Sequence, residues 1–140
     1  MITVTSSPLN PEEITNTVRN YGNGAIITFL GTTRELSEGK DVLYLEYEAY
    51  QPMAEAMLEQ IVMEIQEKWD INHVAIAHRT GKLAIGEISL VVAIGSEHRA
   101  EGFQAAQYTV DRIKTIVPIW KKEVFKDGSI WIGSELEYQN

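Results

Sequence analysis

The chain has 140 residues, of which 44% are hydrophobic and 23% are charged, and its formal net charge is -8 at pH 7. This size and composition are typical of a globular protein, and we expect a single domain over residues 1–140. The absence of cysteine excludes disulfides, thiolate metal ligands and any mechanism in which this chain carries sulfur as its own persulfide. The net negative charge argues against general affinity for nucleic acid.

Neither a membrane span nor a secretory signal is expected. The longest apolar runs, "AIITFLG" from Ala25 and "ISLVVAIG" from Ile88, are far shorter than the ~20 residues of a membrane helix. The start "MITVTSSPLNPEE" has no basic segment followed by an apolar one. We therefore expect a cytoplasmic protein.

The first quarter of the chain predicts a helix, a strand and a loop. Asn10 before "PEE" has the pattern of a helix N-cap, and Gly22 predicts that this helix ends after Tyr21. "AIITFLG" predicts a buried strand. The polar segment "TTRELSEGKD" that follows predicts a loop containing Arg34.

The second quarter predicts a strand and the clearest helix of the chain. "VLYLEYEAY", residues 42–50, alternates like a half-exposed strand. Pro52 ends that strand and can begin a helix. Apolar residues at 54, 57, 58, 61, 62 and 65 share one helical face, which predicts a helix through to Trp69.

Two further strands, a helix and a hairpin follow. "NHVAIAHRTG" and "EISLVVAIG" predict two strands joined by a loop over residues 81–86, with the second strand central. Ser96 is the expected N-cap of a third helix that stops near Ile116, because Pro118 disfavours helical geometry before it. The inner face of this helix is expected to carry Phe103, Ala106, Val110 and Ile113. Asp127-Gly128 predicts a hairpin turn, followed by a polar tail "SELEYQN".

The predicted order α, β, β, α, β, β, α, β-hairpin indicates an α+β fold, with a mostly antiparallel sheet and helices packed against it. No repeat, low-complexity segment or linker interrupts this order.

Positive charge is concentrated late in this acidic chain. His98 and Arg99 fall in the first turn of the third helix, where the helix dipole and free N–H groups favour an anion, although a solvated helix start explains them equally simply. Lys114 lies near the end of that helix. Its positive charge there is also explained by simple complementation of the helix dipole, without a ligand. Lys121 and Lys122 point to opposite faces of a strand, so only one of them can share a pocket with Lys114. These residues indicate an anion site with lysines.

The other polar and aromatic residues carry weaker signals. His73 and His78 lie around one strand without a carboxylate set, so they are interpreted as structural or surface residues and no metal site is expected. Trp69, Trp120 and Trp131 are expected to be core or interface anchors. No phosphate-binding glycine loop or nucleophile elbow is present.

Five segments together resemble the large, catalytic subunit of molybdopterin synthase, the MoaE family. They are "FLGTTRE", "LEYEAYQPMA", "HRTGKLAIGE", "SEHRAEGFQA" and "IKTIVPIWKKE", they occur in the family's order, and the resemblance runs from about Ala25 to Trp131. It implies a fold of the α/β-hammerhead type and a sulfurtransferase of molybdenum cofactor biosynthesis, which converts cyclic pyranopterin monophosphate to molybdopterin by installing the two sulfurs of the dithiolene. It implies no resident cofactor.

The resemblance also implies partners. In the family, sulfur arrives as a thiocarboxylate on the C-terminal Gly-Gly of a small ubiquitin-like subunit, whose tail enters a pocket of the large subunit. Two large subunits form a central dimer within a heterotetramer, and the site lies near their contact. Residues of a neighbouring chain can therefore complete it.

The family's functional residues map onto several positions of this chain. The substrate-binding set is Thr32, Thr33, Arg34, His98, Arg99, Lys114, Lys121, Lys122 and Glu123. Lys114 and Lys121 are the expected catalytic residues, one acting on the thiocarboxylate or on proton transfers and one stabilising developing negative charge. The guanidinium groups of Arg34 and Arg99 suit phosphate oxygens.

One position departs from the family, and two other functions remain open. Ile116 stands where many relatives carry a basic residue, so we expect either weaker phosphate binding or the use of Lys122. A non-catalytic module that binds an anion or a partner's tail would need the arginines but not both lysines. A purely structural partner would recruit the small subunit without converting a precursor.

Overall fold

The structure is a computed structural model that describes residues 1–134. In chain order, the helices and strands of those residues are β1 (Ile2–Thr5), α1 (Pro11–Asn16), β2 (Ala25–Thr32), β3 (Leu36–Ser37), β4 (Lys40–Ala49), α2 (Gln51–Trp69), β5 (His73–Arg79), β6 (Gly81–Ala84), β7 (Ile88–Ser96), α3 (Arg99–Ile116), β8 (Ile119–Phe125) and β9 (Ile130–Ser134). No helix in residues 1–134 combines the length and apolar character needed to cross a membrane.

The strands form two sheets. The first sheet has the order β1-β5-β7-β2, in which only the β1–β5 pair is parallel. The second sheet has the order β3-β4-β8-β9, and β6 also pairs with β4. The predicted α+β class, with mostly antiparallel sheets, packed helices and a C-terminal hairpin, is confirmed. The strand from Ile88 is central, as predicted.

Helices cover both faces of the first sheet because its inner strands are apolar on both sides. On β5, Val74 and Ile76 pack in the main core with α2 and α3, whereas Ala75 and Ala77 pack with α1 on the opposite face. Strand β7 alternates in the same way. This period of two is what the pleat of a β-strand dictates.

Helix α2 matches its prediction. Pro52 lies in its first turn, and Ala54, Leu58, Ile61 and Ile65 are buried. The helix ends at Trp69, after which Asp70 adopts the left-handed conformation with φ 54°. Aspartate is among the few residues that tolerate this conformation, which explains a helix stop without glycine.

The start of α3 differs from the prediction. His98, with φ -124° and ψ 152°, is the N-cap, and Arg99 is the first helical residue. Ser96 instead ends β7, and its Oγ donates to the carbonyl oxygen of His98 at 2.7 Å. The serine therefore shapes the approach to the helix by donating a hydrogen bond to the loop backbone rather than by capping helical N–H groups.

The packed face of α3 is also rotated relative to the prediction. Phe103 is 61% exposed, whereas Ala106 and Ile113 are buried as expected. Small residues, Gly102 and Ala105, take the contact with the sheet. A Cβ on Gly102 would lie 2.5 Å from Cδ1 of Ile27 on β2, so a larger residue here would displace that side chain.

Helix α1 is shorter than predicted, and β2 is less buried. Asn10 caps α1 by accepting from the N–H groups of Glu12 and Glu13, but the helix ends at Asn16 and continues only as i to i-3 turns, not to Tyr21. Strand β2 is the edge of the first sheet and its exposed residues include Phe29 at 37% and Leu30 at 41%. The predicted buried strand is therefore half exposed.

Three short strands were not predicted. They are β1, β3 and β6, of two to four residues each. The predicted loop over residues 81–86 contains β6, which pairs with β4. Strands this short have no clear periodicity. The partners of β1 and β6 lie far away in the chain, whereas β3 pairs with the adjacent strand β4.

The predicted hairpin turn at Asp127-Gly128 is confirmed. Gly128 has φ 88°, and Oδ1 of Asp127 accepts from the N–H of Ser129 at 2.8 Å. The turn joins β8 to β9 in antiparallel register. From residue 135 on, the polar tail lies outside the described residues.

Helices α2 and α3 are joined by a charged contact as well as by apolar packing. Glu64 accepts from Nε and Nη2 of Arg112, each at 2.9 Å, and from the hydroxyl of Tyr108 at 2.7 Å. The bond from Arg112 is the largest cause that lowers the pKa of Glu64 from 4.5 to about 2. The same carboxylate raises the pKa of both Tyr108 and Arg112.

Replacing Glu64 by glutamine is expected to lower the free energy of unfolding at pH 7 by about 1 to 3 kcal/mol, because Arg112 loses its ion pair. Since the folded-state pKa of Glu64 is depressed, its contribution is complete above the unfolded value and is lost as pH falls from 4.5 towards about 2. Urea unfolding at pH 7 and pH 2.5 measures this. If Glu64→Gln lowered the free energy of unfolding equally at both pH values, the stabilisation would not come from the ionised carboxylate of Glu64.

Candidate functional site

A cavity of about 650 Å³ opens between the end of the first sheet, the second sheet and the end of α3. A volume of this size suits a small organic ligand. Its apolar wall includes Val42, Leu45, Leu90, Val117 and Ile119. Charged side chains from three separate segments, residues 34–38, α3 and β8, also line it, and we call this space the large cavity.

Lys114 and Lys121 both line the large cavity. Lys114 lies in the last turn of α3, and Val117, whose ψ of 125° is extended, ends the helix before Pro118. The chain then reverses into β8, which carries Lys121 back beside the same opening. The helix stop and the strand that follows it therefore bring the two amines to one site.

A carboxylate and an aromatic ring lie beside Lys121 on the second sheet. Its Nζ lies 3.6 Å from Oε1 of Glu123 and 6.0 Å from the ring centre of Trp131. Both charged side chains are largely buried, with 14% and 8% of their surface exposed. Ser37 donates to Oε2 of Glu123 at 3.2 Å. The cationic wall of the cavity therefore contains one buried carboxylate that holds its lysine in place.

Lys122 does not line the large cavity, unlike the rest of its predicted segment. Lys121 and Glu123 are two residues apart on β8 and share a face, and Lys122 between them points to the other face. There it lies opposite Glu46 on β4 and Ile132 on β9. Strand alternation permits only one of the two lysines at the site, and that lysine is Lys121.

Neighbouring residues of the Thr32-Thr33-Arg34 segment also differ in whether they line the large cavity. Thr32 and Arg34 are exposed and line the large cavity. Thr33 is 3% exposed, and both its N–H and its hydroxyl donate to the carbonyl oxygen of Glu87, at 3.0 and 3.2 Å. Thr33 is thus a buried anchor of the chain and is not available to a ligand.

His98 and Arg99 lie far from the large cavity of their own chain. They stand at the opposite end of α3 from Lys114, roughly 22 Å away along the helix axis at 1.5 Å per residue. Both are exposed, and the side chain of His98 is 72% exposed with Nδ1 at 4.0 Å from Glu101. Within one chain, the predicted substrate-binding set therefore separates into two groups.

A second cavity, of about 370 Å³, lies beside His98. It is bordered by polar residues that include Asn23 and His73, whose side chains are hydrogen-bonded at 3.0 Å. The interpretation of His73 as structural is consistent with that bond.

His78 was not predicted as a residue of the site, yet it lines the large cavity. It is 6% exposed, its ring packs edge-on against Tyr47 with ring centres 5.1 Å apart, and Nδ1 lies 2.8 Å from the carbonyl oxygen of Arg79. Because a carbonyl oxygen only accepts, Nδ1 carries a proton. Strand alternation alone could not tell which way the ring of His78 points.

The other residues singled out in the sequence are Ile116, the three tryptophans and the possible metal ligands. Ile116 is partly buried against the main core and does not border the large cavity. Trp69 and Trp131 are partly buried, whereas Trp120 is 47% exposed. Residues 1–134 contain no group of three or more histidine, aspartate or glutamate side chains placed to hold a metal ion.

The large cavity can hold an anion and stabilise negative charge. Three cationic side chains, Arg34, Lys114 and Lys121, line one opening whose wall is otherwise partly apolar. Such a wall excludes water, which strengthens the electrostatic interaction between a bound anion and the amines.

Comparisons with known proteins identify the family of this chain. A family model described as "MoaE protein" matches residues 4–116. The molybdopterin synthase catalytic subunit of Bacillus subtilis is 52% identical over 96% of this chain and 85% of its own length. A solved molybdopterin synthase from Staphylococcus aureus has a TM-score of 0.90 and 41% identity, and covers 94% of this chain and 96% of its own.

A more distant structure shares the fold alone. A complex of subunits 1 and 2 of molybdopterin-converting factor from Helicobacter pylori matches with a TM-score of 0.75 at 17% identity, covering 90% of this chain and 86% of that chain. Taken with the family match over most of the described residues and the close relative, the conclusion is that this chain belongs to the MoaE family.

Proposed function

We propose that this chain is the catalytic subunit of a molybdopterin synthase, a sulfurtransferase of molybdenum cofactor biosynthesis. In this proposal it forms a single catalytic domain over residues 1–140, acts in the cytoplasm and converts cyclic pyranopterin monophosphate to molybdopterin. One observation carries the proposal: Lys114 and Lys121, from a helix end and a strand, meet Arg34 at one cavity in a chain of the MoaE family.

The cations of the large cavity suit the two anionic reactants. Arg34 presents a planar guanidinium group, which pairs well with the oxygens of the substrate's phosphate. Lys121 is held by Glu123 at 3.6 Å in a largely buried position, so its amine is already oriented before a ligand arrives. We assign to it the stabilisation of negative charge that develops as sulfur adds to the pterin side chain.

Lys114 takes the second role. It lies in the last turn of α3 and lines the large cavity, where it could meet an incoming thiocarboxylate. We assign to Lys114 the binding of this group and the proton transfers around the reacting carbons.

The sulfur must come from another molecule, because this chain contains no cysteine. A small ubiquitin-like subunit with a C-terminal Gly-Gly thiocarboxylate meets that need, since a glycine tail is thin enough to enter a cavity beside packed side chains. The apolar wall formed by Val42, Leu45 and Leu90 would cover the tail, and Lys114 or Lys121 would bind its charged end.

His98 and Arg99 join the site from a neighbouring chain in this proposal. Within one chain they are roughly 22 Å from Lys114 along α3, yet both are exposed and free to contact another protomer. A homodimer within a heterotetramer would bring the pair of one chain to the large cavity of the other, where it supplies further contacts to the phosphate.

Replacing Lys121 by alanine is expected to lower kcat for conversion of the precursor about 100- to 1,000-fold, because a charge-stabilising donor is lost. Lys114→Ala is expected to have a comparable effect. Turnover is measured with a thiocarboxylated small subunit, and precursor binding is measured separately by calorimetry. Retained binding with lost turnover supports the enzyme, whereas no turnover in the unmutated protein despite binding favours an anion-binding module.

Lys122→Ala provides the matched comparison on the same strand. Because Lys122 points away from the large cavity, we expect its kcat/KM to stay within about threefold of the unmutated protein, as is usual for a surface substitution. A loss as large as that of Lys121→Ala would show that the two faces of β8 have been assigned the wrong way round.

Complementation between two inactive variants tests the shared site. Arg99→Ala and Lys121→Ala chains, each inactive alone, are unfolded together and refolded as a mixture. A mixed dimer contains one site with both residues intact, so random pairing restores about one quarter of the sites. No recovery would mean that Arg99 acts within its own chain, and refolded unmutated protein is the control for yield.

A further inference from the structure

The segment that carries Arg34 is fixed to the rest of the molecule through Thr33. Thr33 donates twice to the carbonyl oxygen of Glu87, from its N–H at 3.0 Å and from Oγ1 at 3.2 Å. In return, Gly86 donates its N–H to the carbonyl oxygen of Thr33 at 2.8 Å. The direction in which Arg34 leaves the sheet therefore depends on the turn between β6 and β7.

That turn is held by one carboxylate. Oε1 of Glu87 accepts from the N–H of Ala84 at 2.7 Å, and Oε2 accepts from Nη1 of Arg79 at 2.9 Å. The bond from Ala84, followed by the bond from Arg79, lowers the pKa of Glu87 below its ordinary value. The carboxylate is thus ionised at neutral pH, and its two oxygens join the turn to the end of β5.

Arg79 is an unusual partner for a surface turn. Its side chain is only 13% exposed, and its Nε is buried without a hydrogen-bond partner among the described residues. A largely buried guanidinium with an unsatisfied N–H is a poor way to gain stability. Its rigid planar shape is, however, a good way to hold a carboxylate in one position.

We propose that Arg79 and Glu87 are positioning residues for Arg34. Their ion pair fixes the turn of residues 84–87, the turn fixes Thr33, and Thr33 aims Arg34 at the large cavity. This inference rests on the proposed function, in which Arg34 binds the phosphate of the substrate. Thr33 was expected to bind the substrate. In this inference it instead orients Arg34 and does not itself contact the substrate.

Glu87→Gln tests the inference because glutamine keeps the length of the side chain and can still accept from Ala84. We expect KM for the pyranopterin substrate to rise about tenfold, since one charged contact is weakened, with kcat within about twofold of its original value. Arg79→Gln is expected to behave alike. Arg79→Lys keeps the charge, so its rise in KM is expected to be at most half of that of Arg79→Gln.

A double variant separates positioning from general weakening of the fold. If Glu87 acts through Arg34, then Glu87→Gln adds nothing to the KM of Arg34→Ala, and the two effects are strongly non-additive. If KM in the double variant rose by the product of the rises in the two single variants, the inference would be overturned. Glu64→Gln is the matched control, because it also removes a carboxylate paired with an arginine but lies outside both cavities, and its KM should not change.

Hydrogen exchange provides a readout that needs no substrate. In Glu87→Gln, the N–H groups of Thr33 and Gly86 are expected to exchange at least about tenfold faster relative to Ala93 in β7, because the turn that holds them is loosened. Unchanged relative exchange overturns the inference whatever the kinetics show. A raised KM in Arg34→Ala with an unchanged KM in Glu87→Gln also overturns it while leaving the proposed function intact, whereas an unchanged KM in Arg34→Ala overturns both.

Discussion

The antiparallel pairing of β4 with β8 is the contact on which the large cavity depends. It sets Tyr47 opposite Lys121 and Leu45 opposite Glu123, and all four side chains border the cavity. Because side chains alternate along a strand, a shift of one residue would turn Lys122 inwards and remove Lys121 and Glu123 from the site. The irregular register between Val42 and Tyr44 occurs beyond these pairs and leaves them undisturbed.

Much of the fold could be predicted because its signals are local. The cap at Asn10, the apolar face of α2, the stop before Pro118 and the Asp127-Gly128 turn each involve residues within a few positions of one another. The features that were predicted wrongly depend instead on contacts between distant parts of the chain. Strand β1 needs β5 about seventy residues away to exist at all, and the exposure of β2 follows from its edge position in the sheet, which no local pattern records.

The candidate site shows the same limit in side-chain detail. Alternation predicted that only one of Lys121 and Lys122 could join Lys114, but which one depends on the register with β4. The three residues of Thr32-Thr33-Arg34 looked alike as polar loop residues, and only the contact with Glu87 separates the buried threonine from its neighbours. His78 was missed because its position at the cavity depends on how the two sheets face each other.

The charge of the large cavity gives a physical reason for assembly. Its lining contains three cationic side chains, Arg34, Lys114 and Lys121, and two carboxylates, Glu38 and Glu123, which leave a net charge of about +1. In the proposed reaction, a cyclic phosphate and a thiocarboxylate would together bring about two negative charges into a partly apolar space. In the proposed dimer, Arg99 of the neighbouring chain would supply a further positive charge to this site. An acidic protein with a net charge of -8 would otherwise repel both reactants, which makes the local placement of these few cations decisive.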